Sequence, residues 1–146
     1  MTQLKLLALD EEDLIVVSSH LQDAVMRIGD MAYLPSQQRF AAIVNRFDWE
    51  KAASSKGSNE RHRAALRFDR VRGAKVKGLK HSHEDAVLSL LAVQFEQGTA
   101  PGGYINLIFS GDAAVRLDVE CIEGELKDLG PAWRARSKPR HPDDQP

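Results

Sequence analysis

The sequence predicts an α+β fold, in which an N-terminal helix packs on about six mainly antiparallel strands and a short C-terminal helix closes the chain. Three features favour this class. An acid-rich segment with an apolar stripe lies near the N-terminus, alternating apolar and polar residues follow, and the segment before Gly130 has helical character. We assign residues 1–133 to a single domain and residues 134–146, rich in proline and charge, to a disordered tail.

The first helix is predicted after a short strand, within the segment LDEEDLIVVSSHLQDAV. Asp10 is positioned as its N-cap, and the three acids that follow suit the positive end of a helix dipole. Leu14, Val17 and Leu21, with Ile15 beside them, form an apolar stripe on one face. We therefore expect this helix to pack on the strands through that stripe.

Residues 25–49 predict an antiparallel hairpin, with a bulge or bend at Gly29 and a turn at PSQQ. The next strand places Ala64, Leu66 and Phe68 inward and its arginines outward, and its phase shifts near Asp69. Between these two units, residues 50–62 predict a loop, because they offer almost nothing apolar to bury.

Residues 86–97 fit two structures. Their apolar residues can line one face of a helix or one face of a strand, and the neighbouring strands lead us to predict a strand. The following segment predicts two strands joined at Ser110-Gly111-Asp112, with the side chains from Val115 to Cys121 alternating into the core. The segment IEGELKDLG then predicts one or two helical turns that end at Gly130.

Short stretches of the chain resemble one another. DAVMRIGDMAYL, from residue 23, is similar to DAVLSLLAVQF, from residue 85, and LRFD is similar to VRLD. Apolar-polar strands resemble each other by default, so chance similarity and internal duplication both explain the pattern. A true repeat would imply two β-meanders packed into one small barrel or sandwich.

Composition limits the partners and the compartment. The formal net charge is -1, so any attraction to nucleic acid or membrane must come from a local patch. A single cysteine excludes an internal disulfide and fits a reducing compartment. The N-terminal segment lacks the features of a secretory signal, and no stretch is apolar for long enough to span a membrane, so we predict a cytoplasmic protein.

No catalytic residue is predicted. The phase of Cys121 places it on the buried face beside acidic residues, and both burial and nearby carboxylates disfavour a thiolate nucleophile. Ser110 lies in a turn and lacks the sequence of a nucleophile elbow. The sequence therefore favours a non-enzymatic protein over an enzyme.

His81 and His83 are the candidate metal ligands, because their spacing places both on one side of an extended chain. A third ligand would come from His62, Glu84 or Asp85. The alternative is a solvated loop, since no cysteine cluster or H-E-x-x-H accompanies the two histidines. GAKVKG also lacks the pattern of a phosphate-binding loop, and we predict no cofactor.

Charge segregation is the most distinctive feature. Asp69 is the only acid between residues 61 and 80, whereas the charged residues from 112 to 128 are six acids and two bases. The candidate residues for binding an anionic partner are Arg61, Arg63, Arg67, Arg70, Arg72, Lys75 and Lys77. The alternative is that basic and acidic strands are neighbours and compensate each other. Nucleic acid is disfavoured, because the only aromatic residue of the basic stretch, Phe68, points inward.

Several longer stretches together resemble a family of small alphaproteobacterial proteins catalogued only as a domain of unknown function. They are LALDEEDLIVVSSHLQDAVMRIGDMAYLP, RFAAIVNRFDWE, RFDRVRGAKVKG and GDAAVRLDVECIEGELKDLG. The resemblance extends to about Gly130, and we expect the tail after Trp133 to depart from the family. It implies no catalytic residue.

These observations lead to a functional expectation. We expect an interaction module that binds a protein partner, or a second copy of itself, through an exposed strand edge or face. The alternative is binding of RNA or another anionic ligand through the basic stretch. A small barrel similar to pleckstrin-homology folds would accommodate the elements, and that analogy implies no function.

Overall fold

The computed structural model describes residues 3–54, 59–79, 85–134 and 139, and the side chain of residue 134 is not among them. The helices in this part of the chain are α1 (Glu11–His20) and α2 (Trp49–Ala53). The strands are β1 (Lys5–Ala8), β2 (Ala24–Arg27), β3 (Met31–Leu34), β4 (Arg39–Phe47), β5 (Glu60–Phe68), β6 (Val71–Lys77), β7 (Val87–Gln97), β8 (Gly103–Phe109), β9 (Ala113–Val119), β10 (Gly124–Asp128) and β11 (Trp133–Arg134).

The predicted fold class was wrong. The molecule is mainly antiparallel β-sheet, and the eleven strands of its described part form one hydrogen-bonded sheet rather than a six-stranded, pleckstrin-homology-like arrangement of α+β class. Several strands are only two to four residues long, and all of them except the predicted first strand, β1, were hidden in longer segments of the sequence. The predicted tail beyond residue 133 lies outside the described residues, except for Arg134 and Pro139.

The C-terminal helix was also a wrong prediction, because the segment forms β10. Its backbone pairs with β1 on one side and β5 on the other, with Leu126 opposite both Leu6 and Leu66. Gly124, Leu126 and Asp128 point inward, which is the period of a strand. Pairing on both edges satisfies the backbone and overrides the local preference for helix.

Helix α1 begins where the sequence places it. The Asp10 carboxylate accepts a hydrogen bond from the Asp13 amide at 2.8 Å, which caps the first turn. Leu14, Val17 and Leu21 are buried, but Ile15 is exposed, so the apolar stripe is narrower than predicted. The helix packs on β1 and β7.

Strand β7 confirms the strand prediction for residues 86–97, since β2 and β8 pair with its two edges. The connection at Ser110-Gly111-Asp112 is a turn between β8 and β9, with Gly111 and Asp112 at positive φ. The hairpin predicted over residues 25–49 forms mainly between β3 and β4, whereas β2 pairs chiefly with β7. The segment predicted as a loop contains α2, and residues 55–58 lie outside the description.

The strand order is symmetric about its centre. Along the sheet it runs β1-β10-β5-β4-β2-β7-β8-β9-β6, with β3 pairing with β4 and β11 with β5. On one side of the centre the successive strands β7, β8 and β9 form a meander. On the other side β2, β4 and β5 form one, with β3 inserted between β2 and β4 along the chain. The next strand along the chain then crosses over, so β6 pairs with β9 and β10 pairs with β5. The similar sequence stretches begin at β2 and β7, so the topology supports the repeat.

The strand that follows each meander, β6 or β10, pairs with the other meander, and these two pairings close the core. Inward side chains of β5 and β9 alternate as predicted, including Leu66, Phe68, Leu117 and Val119. A register shift between Val71 and Gly73 marks a bulge close to the change of phase predicted near Asp69. The two ends of the sheet are strands β1 and β6, and these edges position the candidate binding surface.

Candidate functional site

The predicted basic residues lie on two strands that are not neighbours. β5 carries three of them, β6 carries three more, and one lies at the corner between these strands. In chain order they are Arg61, Arg63, Arg67, Arg70, Arg72, Lys75 and Lys77. Strand β5 runs between β4 and β10, whereas β6 lies at the end of the strand path beside β9. The basic stretch is therefore divided between two parts of the sheet.

Acidic side chains compensate much of this charge, as the alternative interpretation of the sequence expects. Asp118 lies on β9, Asp112 and Glu123 directly precede β9 and β10, and Asp69 lies between β5 and β6. The ion pairs are Arg72–Asp118, Lys77–Asp112, Arg70–Glu123 and Arg67–Asp69, with N–O distances of 2.9, 3.5, 4.0 and 3.1 Å respectively. The Arg67 Nε is buried and its approach to Asp69 lacks hydrogen-bond geometry.

Arg61 is also engaged. Its Nη1 donates a hydrogen bond to the Asn45 carbonyl at 3.1 Å, and its guanidinium lies 5.7 Å from the centre of the Phe47 ring. Burial lowers the pKa of Arg61 from its ordinary value, with the opposing charge of Asp23 acting in the other direction. By contrast, the side chains of Arg63 and Lys75 are exposed and form no ion pair with a described residue.

A buried ionic cluster, which the sequence analysis missed, joins β4, β5 and β10. Arg46 donates two hydrogen bonds to the Asp128 carboxylate, from Nε and Nη2, both at 2.8 Å. His62 Nε2 lies 2.9 Å from Asp48 Oδ2, and its Nδ1 lies 3.4 Å from Asp128 Oδ2 without hydrogen-bond geometry. Arg46, His62 and Asp128 are all almost completely buried.

A signal for this cluster was present in the sequence. Arg46 shares the inward phase of Val44, His62 shares that of Ala64, and Asp128 shares that of Leu126. Three ionisable residues on inward positions must find partners, because an unpaired buried charge is strongly unfavourable. Alternation alone could therefore have identified the members, although not which of them pair.

The carboxylates of the cluster are held in their charged form. Burial raises the pKa of Asp128, but hydrogen bonds from Arg46 and the Leu4 amide outweigh burial and leave that pKa below its ordinary value. Burial likewise raises the pKa of Asp48, and hydrogen bonds from the Lys51 amide and His62 lower it overall. The charged side chains of the cluster thus hold β4, β5 and β10 together.

An open cavity of about 550 Å³ borders the cluster, and Arg46 and Asp48 line it. His62 does not line this cavity. The Asp48 carboxylate already accepts hydrogen bonds from the Lys51 amide and from His62. A general base must reach the proton that it removes. The arrangement therefore fits a structural role, in which the cluster holds the N-terminal strand against β10 through Leu4.

Cys121 lies beyond the end of β9, and it is only partly buried, so the prediction that it continues the inward alternation of that strand was wrong. The chain bends at residues 120 and 121, which breaks the period of two. Ser110 is a turn residue as predicted, and its amide donates to the Ser89 carbonyl at 2.9 Å.

His81 and His83, the candidate metal ligands, lie outside the described residues. Within residues 3–54, 59–79 and 85–134, no group of three or more histidine, cysteine or acidic side chains is arranged to hold a metal ion. The metal site therefore stays a prediction from sequence.

The clearest candidate surface is an apolar cleft between β3 and β6, which we call the β3–β6 cleft. It has a volume of about 280 Å³. Its lining residues are Ile28, Met31, Ala32, Tyr33, Phe40, Ala74, Val76, Leu79 and Val115. One end is closed by two hydrogen bonds at Val71, whose amide donates to the Gln38 carbonyl and whose carbonyl accepts from the Tyr33 hydroxyl.

Both strands that border this cleft have a free edge. Strand β3 pairs only with β4, and β6 pairs only with β9, among the strands of the described chain. An edge strand presents unpaired amides and carbonyls that can pair with another extended chain. The cleft therefore combines free backbone groups with an apolar floor.

Neither helix in the described part of the chain is long and apolar enough to cross a membrane.

Comparison with known proteins identifies the family without supplying a mechanism. No curated protein and no solved structure matches the chain. A family model described as "Protein of unknown function (DUF2948)" matches residues 4–141, which extends past Gly130 and into the segment that we expected to depart from the family. The chain therefore belongs to the DUF2948 family.

Proposed function

We propose that this protein is a non-enzymatic interaction module that binds an extended, acidic segment of a partner protein. The segment pairs with the outer edge of β6 and covers the β3–β6 cleft. Recognition of this kind adds a strand to an existing sheet, so that backbone hydrogen bonds provide affinity and side-chain contacts provide specificity.

One observation carries the proposal. Strands β10 and β6 are equivalent in the symmetric strand order, because each follows a meander and crosses over to the other one. The outer edge of β10 is occupied by β1, over the pairs from Lys5–Lys127 to Ala8–Gly124. The corresponding edge of β6 has no strand on it in the described part of the chain. Among the residues that the structure describes, the chain thus fills one of two equivalent edges and leaves the other open.

The side chains around the open edge suit an alternating segment. Ala74 and Val76 face the cleft, and Val76 is 47% exposed although its side chain lies on the apolar side of the strand. Lys75 and Lys77 lie between and beyond them, and both are exposed. A strand added here would bury apolar residues over Val76 and Met31 and place the residues between them beside the lysines.

Charge favours an acidic partner. Lys75 lies opposite Arg116 on β9, and Arg116 is already paired with Glu96 at 3.0 Å. Lys75 therefore has a basic cross-strand neighbour and no acidic one on its paired side. Acidic residues on the added strand would supply the missing opposite charge.

The same lysines disfavour self-association through this edge. If two copies paired along β6, the lysines of one copy would lie near the lysines of the other, and like charges on neighbouring strands destabilise a sheet. Binding of RNA, the alternative function, receives less support because Phe68, the only aromatic residue of the basic stretch, is fully buried. A buried ring cannot stack on a base.

Selection from a peptide-display library on the full chain tests the proposal. We expect the enriched peptides to alternate apolar and acidic residues and to lose about tenfold or more of their affinity on the double variant Lys75→Glu, Lys77→Glu. The matched control is Lys5→Glu with Lys127→Glu, which makes the same charge change at the edge that β1 occupies, and peptide binding should persist in it.

Two further measurements, amide hydrogen exchange and the oligomeric state in solution, complete the test. Amide hydrogen exchange should show new protection between Gly73 and Lys77 when a selected peptide binds. Failure to enrich peptides, or equal binding to the β6 variant, would overturn the proposal. A dimer in solution that the β6 variant dissociates would replace a partner protein with a second copy of this chain.

A further inference from the structure

A second concavity lies on the outer face of the sheet formed by β2, β4 and β5, away from the β3–β6 cleft. Its volume is about 390 Å³, which suits a small organic molecule. Two arginine side chains, Arg27 and Arg63, line it together with the side chain of Asn45. Of these three residues, only Arg63 belongs to the basic stretch that the sequence analysis identified.

The strand register explains why these groups meet. Val25 pairs with Asn45, and Asn45 pairs with Arg63, so the three residues form one row across three strands. Arg27 lies two residues beyond Val25 and therefore on the same face. Two strand spacings of about 4.8 Å separate Arg63 from β2, a distance that two arginine side chains can span from opposite sides.

Arg27 and Arg63 differ from nearby arginines in having no partner among the described residues. Arg61 and Arg67, which share β5 with Arg63, contact the Asn45 carbonyl and Asp69 respectively. The side chains of Arg27 and Arg63 form no hydrogen bond or ion pair with any residue that the structure describes, and both are exposed. Two guanidinium groups in one concavity attract an anion, and the Asp30 carboxylate at the same concavity offsets part of their positive charge.

We propose that this concavity binds a small molecule that carries a phosphate monoester. A phosphate monoester has close to two negative charges at neutral pH and three acceptor oxygens, which match two guanidinium groups and one amide donor. Val25, Ile43 and Val87 supply an apolar wall for the organic part of the ligand. Asp30, at the same concavity, can accept a hydrogen bond from a hydroxyl or amino group of the ligand.

Phenyl phosphate is the probe, because it has a phosphate monoester and an apolar ring. Its binding to the full chain is followed by the shifts of backbone amide resonances of β2, β4 and β5. We expect Arg27→Gln and Arg63→Gln each to weaken binding about tenfold or more, since each removes a charge-assisted hydrogen bond. Arg70→Gln, which removes one exposed positive charge from the corner between β5 and β6, should change the affinity less than about twofold.

Benzoate distinguishes a phosphate site from a general anion site. It has the same ring but a single charge, and we expect it to bind about tenfold or more weakly than phenyl phosphate. Equal affinities of the two probes would overturn the assignment to phosphate. Unchanged affinity in the Arg27 and Arg63 variants, or an equal loss in Arg70→Gln, would overturn the site itself. Neither result bears on peptide binding at β6, which uses different residues.

Discussion

Arg46 and Asp128 form a bidentate ion pair inside the molecule, with both N–O distances at 2.8 Å and with side chains that are 4% and 0% exposed. The pair joins β4 to β10 across 82 residues of sequence. Asp128 also accepts a hydrogen bond from the Leu4 amide, so the same carboxylate holds the N-terminal strand in place. It therefore stabilises the occupied edge of β10.

Removing one partner of this pair should destabilise the protein strongly. In Asp128→Ala the Arg46 guanidinium is left buried without its counter-charge, and we expect a loss of about 3–5 kcal/mol in the free energy of unfolding. Chemical denaturation measures it. Asp118→Ala, which removes the exposed partner of Arg72, is the control and should cost less than about 1 kcal/mol. Equal effects of the two changes would contradict the structure.

Stability should fall at acid pH because of Asp48 and Asp128. The pKa of each is lowered in the folded protein, so their contribution is complete above the unfolded pKa of about 3.9 and is lost as the pH falls through the folded value. Unfolding midpoints in urea from about pH 6 to about pH 3 measure this dependence. Asp48→Asn removes one of the two groups, so the stability of this variant should fall less steeply as the pH decreases. An unchanged slope of stability against pH would contradict the contribution of Asp48.

Gly124 should not tolerate a side chain. A Cβ at this position would lie 2.6 Å from Cδ1 of Phe68 and 3.0 Å from the Arg67 carbonyl oxygen. We expect Gly124→Ala to lower the free energy of unfolding by about 1–3 kcal/mol, because the fully buried Phe68 ring has no room to move. Gly73→Ala is the matched control in a strand, since a Cβ added at this position would have no neighbouring atom within 4 Å. Comparable losses in both variants would argue against the Phe68 contact.

Hydrogen exchange should distinguish the two equivalent strands in the isolated protein. Strand β10 has partners on both edges, so its amides from Gly124 to Asp128 should all exchange slowly. Within the described strands β6 pairs only with β9, so from Gly73 to Lys77 slow and fast amides should alternate. Continuous protection along β6 without a partner would show that its edge is covered, and it would remove the basis for strand addition.

Local sequence predicted the elements that depend on local rules. The Asp10 cap and the buried Leu14 and Val17 of α1 follow from helix chemistry and periodicity. The inward phases of Leu66 and Leu117 follow from alternation along a strand. The prediction failed at β10, where contacts with two distant strands decided between helix and strand.

The candidate sites were less accessible from sequence. Charge segregation identified Arg63 and Lys75 as basic residues of interest, but it could not show that Asp69 and Asp118 neutralise their neighbours. Arg27 lies outside the basic stretch and reaches the same concavity only because β2 lies beside β4. Side-chain composition is a local property, whereas the distance between side chains on different strands is not.

The sequence by itself determined which segments alternate, which faces are apolar and where α1 begins, because these properties depend on neighbours a few residues apart along the chain. Only the tertiary structure decided which strands pair. Three features depend on that pairing: the exchange of β6 and β10 between the two meanders, the burial of Arg46 against Asp128, and the edge of β6 that no described strand covers. Antiparallel backbones pair through the same hydrogen bonds whatever their side chains, so the choice of partner depends on how the whole core packs.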